Sequence, residues 1–160
     1  MVVGAGAGPV TAIRRAAWVV LAGLSALFAL FGLADLLIGV KFDETMAPAI
    51  TGLTLAEIEA QSAAAYRLID HWARGGGVTL MAMGLALTTV ALVAYRSGQR
   101  WAWWTMWLLP GWALAVLGFN LAVGFVAGEA PPQALASAPP IAAIAAVALL
   151  VDVPRFRRTP

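Results

Sequence analysis

Four long apolar runs follow one another along the chain, and its polar residues collect between them. The first, 16–34, carries no charge, and at about 1.5 Å per residue it is just long enough to cross a hydrocarbon core of roughly 30 Å. With the apolar residues after it, it predicts a span over about 16–38. Arg14 and Arg15 precede it, as they would a cleaved signal peptide, but the apolar region of such a peptide runs only about 7–15 residues. No convincing cleavage site follows, so the run reads as a retained anchor. The second run predicts a span over about 75–95, ending at an interfacial pair, Tyr95 and Arg96.

Only Ser97-Gly-Gln separates Arg96 from Arg100, which forces a tight hairpin into the third run, 101–127. That run is longer than a span needs, so its helix must tilt or bend. Pro110, about 15 Å in from Arg100, removes one backbone bond and leaves the Met106 carbonyl without its usual donor. A packing kink is the plain consequence; the sharper alternative is that the freed carbonyl lines a polar path. Gly128-Glu-Ala-Pro-Pro then breaks the chain. The fourth predicted span, 137–153, opens on Ser137 as N-cap with Pro139 and Pro140 in its first turn, and stops at Pro154.

Between the first two spans, Thr54-Leu-Ala-Glu57 pairs a hydroxyl with a carboxylate three residues on, a capping box that starts a helix. Leu55, Ile58, Ala65, Leu68, Ile69 and Trp72 then recur at three- and four-residue spacing, predicting an amphipathic helix over 54–74. Asp70 and Arg74 fall on it as an i,i+4 pair in the favoured order. Gly75-Gly-Gly77 would let it turn into the second span, with one continuous helix as the alternative. Residues 1–13, small and glycine-rich, have too little to bury to offset the entropy of ordering them, and are expected to form a loose cytoplasmic tail.

Composition agrees with a bilayer. At 62% hydrophobic and 11% charged residues, the 160-residue chain lacks the polar surface to clothe a soluble globule. Arginine distribution orients it: with both termini inside, Arg14, Arg15, Arg96, Arg100, Arg155, Arg157 and Arg158 are cytoplasmic, against Lys41, Arg67 and Arg74 outside. Trp101, Trp103 and Trp104 mark the same cytoplasmic interface. The formal charge of +2 sits beside apolar runs, so the partners implied are anionic lipid headgroups, with no nucleic acid. A protein partner or a homo-oligomer stays open. Zero cysteines exclude disulfides, thiolate metal sites and thiol redox chemistry.

Candidate chemistry is sparse. Asp70 and His71 are adjacent and so about 100° apart on a helix, poor geometry for shared metal ligation or acid/base work. Asp35, flanked by apolar residues about 30 Å beyond Arg15, falls at the outer edge of the core. An ion pair with Arg74 is the structural reading, and proton or ion handling the functional one. Asn120 sits at a similar depth, where it could hydrogen-bond across helices. Small residues at four-residue spacing (Gly76, Gly84 and Thr88; Ala138, Ala142 and Ala146) allow close helix contacts. No nucleophile-base pair, paired carboxylates or metal-ligand constellation is visible, and no cofactor is implied.

The phrases Thr51-Gly-Leu-Thr-Leu-Ala-Glu-Ile, Ala73-Arg-Gly-Gly-Gly and Tyr95-Arg-Ser-Gly-Gln-Arg-Trp-Ala-Trp-Trp resemble those of small uncharacterised bacterial proteins with four predicted spans. That resemblance covers roughly residues 16–127 and implies a membrane fold alone. The expectation is thus an all-α integral membrane protein of a bacterial cell membrane. It forms one four-helix transmembrane bundle over 14–158, with an extracytoplasmic amphipathic helix between spans 1 and 2. A non-catalytic structural or interaction subunit is the first function expected. A small transporter or proton-coupled channel using Asp35, Asn120 and the Pro110 kink is the alternative.

Overall fold

The computed structural model describes residues 9–126 and 133–157. Its helices are α1 (Pro9–Ile38), α2 (Met46–Thr51), α3 (Leu55–Gln61), α4 (Ala63–Val90), α5 (Arg100–Met106), α6 (Leu108–Val123) and α7 (Gln133–Arg157). A 3-10 turn, Gly39–Asp43, follows α1, and a π turn, Ala91–Tyr95, ends α4. Described residues include no strand. Among the described residues, four helical stretches are long and apolar enough to cross a membrane: Ala16–Asp43, Ala63–Tyr95, Arg100–Val123 and Leu135–Phe156. The bundle thus has a loop end, carrying 39–62, and a turn end, carrying 96–99.

The tightest contact is between α1 and α4, which run antiparallel. A Cβ on Gly84 would lie 2.3 Å from the Ala29 nitrogen, one on Gly32 2.3 Å from the Met81 nitrogen, and one on Gly77 2.7 Å from the Gly32 oxygen and the Leu36 nitrogen. Backbone meets backbone at all three. In lipid there is little hydrophobic drive to bring helices together, so contact of this closeness, with its dispersion energy, is what holds the pair. It also corrects the role expected for the triple glycine. Residues 75–77 stay helical inside α4, and Gly77 is needed for approach to α1 rather than for a turn.

The predicted amphipathic helix over 54–74 is accordingly two pieces. Its start is as expected: Thr54 Oγ accepts from Glu57 N–H at 3.2 Å, while Glu57 accepts from Thr54 N–H at 2.7 Å. At Ser62, however, the backbone turns extended, and the Ser62 hydroxyl caps a new helix by accepting from Ala65 N–H at 3.1 Å. From Ala63 the chain runs without interruption into the second apolar run.

Further boundaries differ from the sequence reading. Of the loose tail expected over 1–13, residues 9–13 are helical, because α1 begins at Pro9, and residues 1–8 lie outside the described residues. The third apolar run is broken at Trp107, where the N–H reaches back only three residues, to Trp104 O at 3.2 Å. That break comes just before Pro110, which is buried, and it separates α5 from α6. Helix α7 starts at Gln133, placing Pro139 and Pro140 in its second turn, and it passes Pro154 to end at Arg157. Tertiary contacts hold that last turn: Phe156 is buried against Tyr95, with ring centroids 5.0 Å apart, and Arg155 donates to the Arg96 carbonyl.

The core fills the turn half of the bundle. Leu21, Tyr95, Met106, Leu109 and Leu149 are fully buried there, with Ala91, Ala102 and Ala145 between them. A satellite cluster of Ala113, Ala138 and Ala142 joins α6 to α7. Between that cluster and the α1–α4 pair, towards the loop end, the packing opens.

Candidate functional site

The opening is a cavity of about 460 Å³, within the range typical of small-molecule sites. Its construction begins where α1 stops. Gly39 adopts the left-handed conformation (φ 72°) that ends many helices, and a Cβ there would collide with Asp70. Asp70 Oδ1 accepts from Val40 N–H at 3.0 Å, and its Oδ2 accepts from Arg74 Nε at 2.8 Å. Arg74 also donates to the carbonyls of Leu36, Leu37 and Ile38 at 2.7, 3.1 and 3.4 Å. A cation on the last carbonyls of a helix meets both their unused lone pairs and the negative end of the dipole. This clamp fixes the 3-10 turn, and with it Phe42 and Asp43, at the cavity mouth.

Aromatic rings make much of the wall. Phe28 and Phe31 come from α1, Trp72 from α4 and Trp112 from α6. Phe28 packs edge-on against Trp112 at 4.9 Å, and Phe31 lies against Phe42 at 6.2 Å. Space is left because the residues between them are small: Gly39, Ala73, Gly76, Ala113 and Ala138 all reach the lining. A Cβ on Gly76 would meet nothing within 4 Å, so this glycine faces open volume rather than a helix. The four-residue pattern through Gly76 and Gly84 therefore joins two different things: Gly84 is a contact and Gly76 a vacancy.

Charge in the lining is of one sign. Asp35 and Asp43 line the cavity and are close enough to repel one another, while Lys41, Arg67, His71 and Arg74 do not line it. The ion pair expected between Asp35 and Arg74 is not formed, because Arg74 is committed to Asp70 and the end of α1. Among the described residues Asp35 has no ion pair and no hydrogen bond. It also stands in the last turn of α1, where a carboxylate faces the negative end of the helix dipole. Its position therefore works against stability rather than for it. Asp43 is held by Thr45, whose N–H and hydroxyl both donate to Oδ1.

Asn120 is buried but bonds its own helix, donating to the Val116 carbonyl at 2.8 Å, and among the described residues it makes no bond across helices, which its depth would have allowed. Neither Asn120 nor Pro110 lines the cavity, and the structure does not bring them to Asp35. At the turn end, one buried carboxylate escaped the sequence reading. Asp152 is 1% exposed, interacts with the Tyr95 phenol, and pairs with Arg155 at 3.6 Å. The signal was there: Val151-Asp-Val has the same apolar flanks that drew attention to Asp35. Tyr95 is likewise fully buried rather than interfacial, since the π turn adds a residue that swings it inwards. Arg96 lies over the Trp18 ring at 5.0 Å, and Trp103 donates Nε1–H to the Leu149 carbonyl at 3.1 Å. Trp101 and Trp104 are exposed, as interfacial rings would be. These contacts tie α1, α5 and α7 to the end of α4 and the turn after it.

No protein-family model, curated protein or solved structure matches the chain.

Proposed function

We propose that this is a non-catalytic membrane-embedded binding protein, whose working part is the aromatic cavity at the loop end of the bundle. The observation that carries the reading is the combination of a 460 Å³ void, an open glycine at Gly76 and a carboxylate, Asp35, placed against the helix dipole with no structural partner. A bundle selected for stability alone would fill such a space and neutralise such a charge. Reaction chemistry has no comparable support, because the lining offers two carboxylates and a hydroxyl but no base-activated nucleophile. The arginine bias supports a bacterial cell-membrane location with both termini cytoplasmic, which puts the cavity on the outer side. The binding reading is compatible with an interaction subunit whose ligand regulates a partner.

Transport is the second reading, favoured by Asp35 within the cavity. Against it, Leu21, Met106, Leu109 and Leu149 are fully buried in the turn half, between the cavity and the buried Tyr95 and Asp152 along the helices, and apolar packing of that kind opposes conduction. Proteoliposomes carrying a trapped pH dye should leak protons no faster than empty vesicles.

Binding is tested with N-phenyl-1-naphthylamine, a neutral apolar fluorophore, added to the protein in nanodiscs and excited by energy transfer from the tryptophans, of which Trp72 and Trp112 line the cavity. Saturable energy transfer above empty nanodiscs is expected, and Gly76→Leu, which fills the open volume, should abolish it. Transfer that is unsaturable, or equal in Gly76→Leu, would reject the cavity as a binding site.

A further inference from the structure

From the charge of the lining we infer that the cavity takes a free lipophilic cation: a compact aromatic or branched apolar body bearing one positive charge. This rests on the binding reading and adds the sign of the ligand. Two carboxylates on adjacent elements, Asp35 in α1 and Asp43 in the 3-10 turn, face one space and repel one another. A cation between them removes that repulsion. The aromatic lining reinforces the preference, because the π clouds of Trp and Phe attract positive charge, and Trp72, Trp112 and Phe31 all line the same volume.

Alternative occupants fit less well. A divalent metal ion wants several oxygen or nitrogen ligands, and no group of three His, Cys, Asp or Glu comes together among the described residues. A phospholipid amine would bring its own phosphate within a few ångströms of Asp35 and Asp43. No basic side chain lines the cavity to meet that phosphate: Arg74 is spent on Asp70 and three carbonyls, and Lys41 is exposed and outside the lining. An anionic or zwitterionic ligand thus loses what a simple cation gains. Volume agrees, since about 460 Å³ suits a drug-sized body and not a two-chain lipid.

The test uses tritiated tetraphenylphosphonium and its near-isosteric anion tetraphenylborate, equilibrated with the protein in phosphatidylcholine nanodiscs and corrected for empty nanodiscs. One saturable phosphonium site per chain is expected, with the borate at background. Asp35→Asn and Asp43→Asn should each weaken phosphonium binding about tenfold, the scale of one partly screened charge contact. Naphthylamine binding in each variant shows that it is folded with its cavity intact, and if one variant does not fold the other carries the comparison. If naphthylamine binds but the phosphonium binds no better than the borate, or is indifferent to both substitutions, the cation is wrong and the cavity stands. Phosphatidylcholine or phosphatidylethanolamine retained one per chain in native mass spectrometry, with phosphonium excluded, would overturn the inference in favour of a lipid. If no probe binds above empty nanodiscs, the binding reading itself falls.

Discussion

Replacing Gly84 by alanine should loosen the whole bundle, whereas the same change at Gly75, nine residues earlier in the same helix, should not. An added Cβ at Gly84 would stand 2.3 Å from Ala29 N, 2.7 Å from Ser25 O and 2.8 Å from Ala29 Cα, against 3.4–4 Å for ordinary contact. All three are backbone atoms of α1, so no side chain can swing aside. The helices must part by about 1 Å, and the loss extends along the interface to Gly32 and Gly77. Overpacking of this kind costs about 1–3 kcal/mol, and rigid backbone on both sides puts Gly84→Ala towards the upper figure. Better helix propensity returns up to about 1 kcal/mol, leaving a net loss near 2 kcal/mol. Gly75 has nothing within 4 Å, so Gly75→Ala keeps only the propensity gain. Unfolding by dodecyl sulfate titration in mixed micelles, followed by tryptophan fluorescence, measures both. Equal stability of the two variants would refute the account of what holds α1 to α4.

The clamp at the end of α1 predicts that Arg74→Ala costs about 1–2 kcal/mol, reduced by water at a side chain 40% exposed. In double-mutant cycles that loss should be strongly coupled to Asp70→Ala and additive with Asp35→Asn, which by itself is neutral or slightly stabilising; coupling to Asp35 instead would restore the ion pair the structure lacks. Trp103→Phe keeps the ring but drops the bond to Leu149 O, and should destabilise by about 1 kcal/mol in the same titration, while Trp104→Phe, exposed, should change nothing measurable. Bonds from the Thr54 N–H and hydroxyl hold Glu57 below the ordinary carboxylate range. Its capping contribution is therefore present above the unfolded glutamate pKa and fades as pH falls through the lowered value. The Thr54 amide resonance in nanodiscs should shift with a midpoint below that of an ordinary glutamate, and Glu57→Gln should abolish that titration.

Much of this architecture was legible because it follows from local rules. Apolar runs long enough to span gave four helices, and Thr54 with Glu57 gave one boundary through chemistry confined to four residues. What stayed hidden depends on partners distant in sequence. Nothing local says that Gly77 faces Asp35 while Gly76 faces a void, since the two differ only by 100° around one helix. Arg74 offered the same ambiguity: its i,i+4 partner Asp70 and the carbonyls ending α1 took the guanidinium that Asp35 was expected to share. Pro154 reads as a stop, but Phe156 and Arg155 find partners on α4 and the hairpin after it that hold another turn in place. Asp152 is followed within six residues by three arginines that mark an interface, and nothing local shows that it is buried beside Tyr95. The cavity itself has no sequence signature, being the volume left when small residues from four elements meet.

Because the chain contains no cysteine, one measurement can place the ligand directly. Single cysteines are introduced as Gly76→Cys, in the cavity lining, and Gly75→Cys, at nearly the same depth on α4 but outside it. Each is reacted with a small membrane-permeant maleimide in nanodiscs, with and without saturating N-phenyl-1-naphthylamine. A binding cavity predicts at least tenfold slower modification at Gly76→Cys when the probe is present and an unchanged rate at Gly75→Cys. Equal rates with and without probe at Gly76→Cys would mean that the cavity does not hold it, and would contradict the proposed function.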